Sequence, residues 1–206
     1  VVTSLGNEGG YWPTSAAGDV ELSEDSLAAV ALARGLAYAD GNRRRMYQEA
    51  LDRYARFLLE GARAGGELRQ TVTGWLIQGE NAGGIGGGVQ KGVALLKPST
   101  ASTAAGAAFL AQMSAISRDR SSRDAAMQAV EWILKKRRPN GEMPNFVEGE
   151  ESEEMPLTTM TLAAEAIQSA YYLLNDPALN QRLGPELDNT TRRMMRIQGE
   201  NGLWGE

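Results

Sequence analysis

Carboxylates and aromatic rings are the side chains with which this sequence could do chemistry, because its 206 residues include no histidine and no cysteine. Without imidazole it lacks the commonest general base near neutral pH and the commonest transition-metal ligand. Without thiols it lacks disulfides, zinc–thiolate sites and thiol nucleophiles, and the redox compartment stays open. What remains is Tyr11, Trp12, Asp25, Trp75, Gln78, Glu80, Asn81, Glu142, Asn145, Phe146, Glu200 and Trp204. Aromatic rings stack on the apolar faces of sugars while amides and carboxylates bond the hydroxyls, so this set suits a carbohydrate. The competing reading is structural: the aromatics fill gaps between repeats and the carboxylates cap helices, as Asp25 would in a helix's first turn.

The elements that must position these residues form a repeat. A helix of apolar and small residues, a short Asp-containing turn, a charged amphipathic helix and a Gly/Asn loop recur three times. The first helices are expected at about 24–39, 100–117 and 157–174. The middle one carries no charge, the first only Arg34 beyond its cap region and the third only Glu165. A helix that is apolar or small on every side must be surrounded, so these are inner helices. Their partners, at about 43–61, 122–137 and 178–197, carry one apolar stripe each. In the first, Tyr47, Ala50, Leu51, Tyr54, Phe57 and Leu58 fall on one face and Arg44, Glu49, Asp52, Arg53 and Arg56 elsewhere. These are outer helices, and Pro185 is expected to limit the start of the third.

The turns Asp40-Gly41-Asn42, Asp119-Arg120-Ser121 and Asn175-Asp176-Pro177 are short and rich in capping residues, which predicts antiparallel hairpins. The returns, about 65–98 and 139–156 with a third beginning at Gly199, all lead to the N-terminal ends of inner helices. They therefore gather on one face, joined by residues 1–22, and that face is where function belongs.

Other clusters have plain explanations. The run 83–88 lacks nucleotide-binding spacing and no strand is expected before it, so it reads as a mobile or tightly turning loop. Arg43, Arg44 and Arg45 read as solvated surface rather than an anion site, and Lys135 to Arg138 end a helix, where cations are favoured. Glu148, Glu150, Glu151, Glu153 and Glu154 lack calcium-loop spacing and read as a solvated acidic loop. The net charge of −5 argues against a nucleic-acid partner, and no apolar run approaches the ~20 residues that span a bilayer. The chain begins Val1-Val2-Thr3, which suggests that a leader, tag or preceding segment was removed; localisation stays open, and a leader would permit a secreted or periplasmic one.

The segment Gln198-Gly199-Glu200-Asn201-Gly202-Leu203-Trp204-Gly205 resembles the Gln-x3-Gly-x-Trp repeat of the α/α-toroid proteins, which include terpenoid cyclases and, with related architecture, polysaccharide lyases and six-hairpin glycoside hydrolases. Pro139-Asn140-Gly141-Glu142-Met143 resembles a degenerate copy, with Arg137 in place of Gln and Met143 in place of Trp. Gln78-Gly79-Glu80-Asn81 matches the start of the third loop. The resemblance implies rings of helical hairpins with a ligand site at the mouth, by the inner-helix N-termini. Zinc-holding prenyltransferases of this type use Asp, Cys and His, and the Asp-rich acid motif of terpenoid cyclases is missing here. Carbohydrate-active members use carboxylates with aromatic platforms, which this chain has.

The sequence thus predicts one all-α domain over 1–206, with antiparallel hairpins at about 23–64, 99–138 and 157–198 in a partial or open α/α-toroid-like barrel. It predicts carbohydrate binding or processing, lyase- or hydrolase-like. The resemblance suggests Glu80 and Glu142 as acid and base and Tyr11, Trp12, Trp75, Gln78, Asn81, Asn145 and Trp204 as ligand-binding residues. No metal or cofactor is called for, and further hairpins or an oligomer would complete the ring. A noncatalytic scaffold domain is the alternative, ahead of a terpenoid-cyclase-like enzyme.

Overall fold

The computed structural model describes residues 12, 19–61, 73–152 and 157–198. Among them are six helices: α1 (Leu22–Gly35), α2 (Gly41–Glu60), α3 (Thr100–Ser117), α4 (Arg120–Lys136), α5 (Leu157–Leu173) and α6 (Pro177–Ile197). None is long and apolar enough to cross a membrane. The inner helices α1, α3 and α5 lie in a row with α3 in the middle, packed against α1, α4 and α5. The sequence explains that place. Thr100–Ser117 contains no charged side chain, and Ala104, Ala105, Ala107, Ala108 and Ala111 let both neighbours approach closely while Phe109 and Leu110 fill the core.

The outer helices begin as the turn chemistry dictates. Asp40 accepts the Arg43 N–H at 3.1 Å, Asp119 the Ser122 N–H at 2.8 Å and Asp176 the Leu179 N–H at 3.0 Å, so one aspartate caps each outer helix. Ion pairs join neighbouring hairpins: Arg123 reaches Asp176 at 2.9 Å, and both nitrogens of the Arg182 fork reach Glu131. α6 runs through Pro185, which does not limit its start as expected. Proline lacks the N–H that an interior turn would bond, yet the buried Leu179 and Leu183 hold the turns before it against the core.

The fold is mostly helical but not purely so. Two short strands, β1 (Val20–Glu21) and β3 (Val93–Ser99), flank β2 (Ile85–Gln90) in an antiparallel sheet, with Val20 opposite Val89 and Gln90 opposite Val93. β4 (Asn145–Val147) and β5 (Glu150–Ser152) form a hairpin. The glycine run expected as a loop is therefore largely a central strand with a bulge between Gly86 and Gly88. At Gly88 (φ 124°) a Cβ would fall 2.1 Å from the Val20 carbonyl oxygen, and at Gly83 (φ 91°) one would fall 2.1 Å from the Gln128 carbonyl oxygen. The glycines are there because other backbones come too close for a side chain. Of the expected acidic loop, Glu148, Glu150 and Glu151 belong to the β4–β5 hairpin, where Glu151 pairs with Arg138, and Glu153 and Glu154 lie outside the described residues.

Candidate functional site

The starts of α1, α3 and α5 and the two small sheets meet around a groove of about 680 Å³. Asp19, Glu21 and Ser23 come from β1 and the first turn of α1. Ser99 and Ser102 come from the start of α3, Thr158 and Thr159 from α5, and Asn145, Val147 and Glu148 from the β4–β5 hairpin; Gly87, Gln90 and Leu95 of β2 and β3 complete the wall. Hydrogen bonds fix these pieces. The Thr100 hydroxyl donates to the Pro144 carbonyl oxygen at 2.9 Å and accepts the Phe146 N–H at 2.8 Å, which ties the hairpin to α3. The Thr159 hydroxyl donates to the Asn145 side-chain oxygen at 3.4 Å, which ties it to α5. Asp19 accepts the Lys91 N–H at 2.6 Å and Glu21 the Ser23 hydroxyl at 2.9 Å. Ser102 is 2% exposed and lines the groove, and its hydroxyl bonds no other described residue. A hydroxyl in that position keeps its hydrogen-bonding capacity for a ligand or water.

The chemistry such a groove offers is directional bonding by hydroxyls, an amide and carboxylates. The first-turn N–H groups of the inner helices begin beside it and add hydrogen-bond donors to the lining. Among the described residues no group of three or more acidic side chains is placed to hold a metal ion.

One acid lies deeper. Asp25 is buried in the first turn of α1 and accepts the Trp12 N–H at 3.1 Å. Burial pushes its carboxyl up to about 7, against the bond from Trp12, and the charges of Glu24 and Glu21 raise it further. Next to it in sequence, the Ser26 hydroxyl shares a 2.8 Å hydrogen bond with the Tyr54 hydroxyl, and burial raises the Tyr54 phenol well above its ordinary range.

The residues singled out in the sequence are distributed unevenly about this groove. Asn145 lines it. Trp12 is 7% exposed with its ring centroid 5.2 Å from that of Tyr54, and Trp75 is 1% exposed against Phe57 at 5.6 Å, so both rings belong to the core. Phe146 packs edge-on to Trp132 under the Lys136 ammonium. Gln78, Glu80 and Asn81 lie outside the groove, on a loop that folds against α4 at Gln128 and Trp132. Glu142 is also outside it, between α4 and α6, paired with Arg138 and Arg193. Hydrogen bonding from Asn140, then Arg138 and the charge of Arg193, holds its carboxyl below the usual range. The two glutamates thus occupy equivalent loops of successive repeats, each against the next outer helix. Tyr11, Glu200 and Trp204 lie outside the described residues. Sequence reasoning missed Asp19, Glu21, Ser23, Ser102 and Thr159. The available signal was the clustering of hydroxyl residues at the start of every inner helix.

No protein-family model and no curated protein matches the sequence. Solved structures match the fold. Cellobiose 2-epimerase from Spirochaeta thermophila superposes with a TM-score of 0.71 over 96% of this chain and 50% of that one, at 15% identity. Cellobiose 2-epimerase from Bacillus thermoamylovorans gives 0.69 over 96% and 52%, at 13% identity. A GH76 α-mannanase from Bacteroides thetaiotaomicron gives 0.57 over 85% and 45%, at 14% identity. These neighbours are α/α-toroid folds, and this chain spans about half the length of each.

Proposed function

We propose that this α/α-toroid-like chain binds or processes a carbohydrate, held in the groove at the N-terminal ends of α1, α3 and α5. The observation that carries the reading is the lining: Ser102, Thr159, Asn145, Glu21 and Glu148 put hydroxyl, amide and carboxylate groups around a cavity whose volume falls within the roughly 300–1,000 Å³ of small-ligand sites. The fold neighbours support it, since they are sugar-processing enzymes by description. Completion of a ring by further hairpins or by a second copy is part of the proposal, and light scattering of the purified chain separates a monomer from an assembly.

Titrating the protein with a panel of neutral, acidic and amino oligosaccharides tests the reading, with reducing ends and unsaturated products followed in parallel. Binding of at least one class is expected, and Asn145→Ala and Ser102→Leu weaken it with thermal unfolding monitored as a check on folding. No binding and no turnover across the panel overturns the proposal. The acid–base assignment of Glu80 and Glu142 is tested in the same assay. A catalytic role requires Glu80→Gln or Glu142→Gln to cut turnover about a hundredfold or more. A loss of stability without such a cut in Glu142→Gln instead identifies a clamp between α4 and α6.

A further inference from the structure

We propose that the groove selects glycans carrying ammonium groups, such as short glucosamine oligomers, over neutral sugars and rejects polyuronates. This rests on the groove being the carbohydrate site. Its charge is one-sided: Asp19, Glu21 and Glu148 line it, and no lysine or arginine does. The described flanking stretches 19–22 and 139–152 contain no lysine or arginine. Lys91 and Lys97, on the β2–β3 hairpin, are absent from the lining.

Several acids elsewhere in the chain pair with guanidinium groups. Glu165 meets Arg34, Asp176 meets Arg123, Glu186 meets Arg137 and Glu131 meets Arg182. Glu21 and Glu148 line the groove and take part in no salt bridge among the described residues; Glu21 accepts only the Ser23 hydroxyl. Groove carboxylates without a counter-charge attract a cationic ligand and repel an anionic one.

Two further observations define the body that carries the cation. Asp19 and Glu21 line the groove at β1 and Glu148 lines it from the β4–β5 hairpin, so a ligand that meets them all carries positive charge at more than one point along its length. The Ser102 hydroxyl, on a residue 2% exposed and bonding no other described residue, and the Asn145 amide both line this cavity and offer hydrogen bonds to a ligand with hydroxyl or amine partners. An amino sugar has both attributes on each ring.

The test is calorimetric titration of the full chain with a glucosamine trimer, its N-acetylated counterpart, cellotriose and trigalacturonate, at a pH that keeps the amines charged and at low and high salt. The glucosamine trimer is expected to bind about tenfold or more tightly than the two neutral trimers, with the advantage shrinking in salt, and trigalacturonate not to bind. The Glu21→Gln/Glu148→Gln double variant, at two exposed positions, is expected to bind all three non-acidic trimers alike, whereas Glu60→Gln on the outer helix α2 leaves the preference intact. Equal affinities in the unmodified protein, a preference for the uronate, a preference surviving in the double variant, or trilysine binding as tightly as the glucosamine trimer each overturns the inference. Neutral trimers that bind without any ammonium advantage leave the carbohydrate reading standing and defeat only the charge selection. Failure of every sugar defeats the site itself.

Discussion

Asp25 holds its proton more tightly in the folded chain than an exposed aspartate does, because its buried carboxylate is poorly solvated. A folded value near 7 above an ordinary value of 3.8 makes the folded state the better proton binder, so stability is lost as pH rises between those values. The loss is on the order of 4 kcal/mol by the upper end of the range. Asp25→Asn keeps an oxygen for the Trp12 N–H and removes the titration. Its melting temperature is therefore expected to exceed that of the unmodified chain by several degrees at about pH 8, with the gap closing toward about pH 5. A gap independent of pH would rule out Asp25 as its source. The same buried neighbourhood shows what residue types could not reveal. Trp12 and Trp75 have the composition of sugar platforms, but platforms and core fillers are the same side chain, and only the packing of Tyr54 and Phe57 against them distinguishes the two roles.

At the scale of elements, the helices were legible to within about two residues, apart from the end of α1 at Gly35 rather than near 39, because period, small-residue inner faces and capping aspartates all pointed the same way. The strands were not. β2 contains three consecutive glycines, Gly86, Gly87 and Gly88, a composition disfavoured in strands and without the alternation that marks one. Its reason for being glycine lies in the opposing backbones, which sequence alone does not display. Gly88→Ala is expected to cost more than about 1 kcal/mol, since it adds strain at a positive φ to a clash with the Val20 carbonyl. Because Val20 and Glu21 form one wall of the groove, the variant should also weaken ligand binding more than its stability loss explains. Denaturant titration beside the calorimetry checks both parts, and a fully neutral Gly88→Ala would contradict the close approach.

At the scale of the molecule, the row α1–α3–α5 is held together by what α3 lacks. Its alanines set the distance at which both neighbours pack, so extra volume at Ala108, which is fully buried, cannot be absorbed on one side without moving the other. Ala108→Leu is expected to destabilise the chain by roughly 1–3 kcal/mol or more, while Ala108→Gly costs about 1 kcal/mol from helix propensity alone. Unfolding midpoints in urea compare the two. The layered order of inner and outer helices was legible for the same reason. The groove's lining was not, because its walls come from five separate stretches of sequence that only the sheets and helix starts bring together.

The uncharged middle helix also has a temporal consequence. A nascent chain leaves the ribosome from its N-terminal end, so Thr100–Ser117 emerges well before Leu157–Leu173, the helix that covers one of its flanks. For the time needed to synthesise the intervening stretch, an apolar cylinder of 18 residues has α1, α2, β2 and β3, and then α4, to shelter it but not α5. Chaperone demand during production should therefore peak in that interval, and slowing translation between these helices should lower the yield of soluble chain.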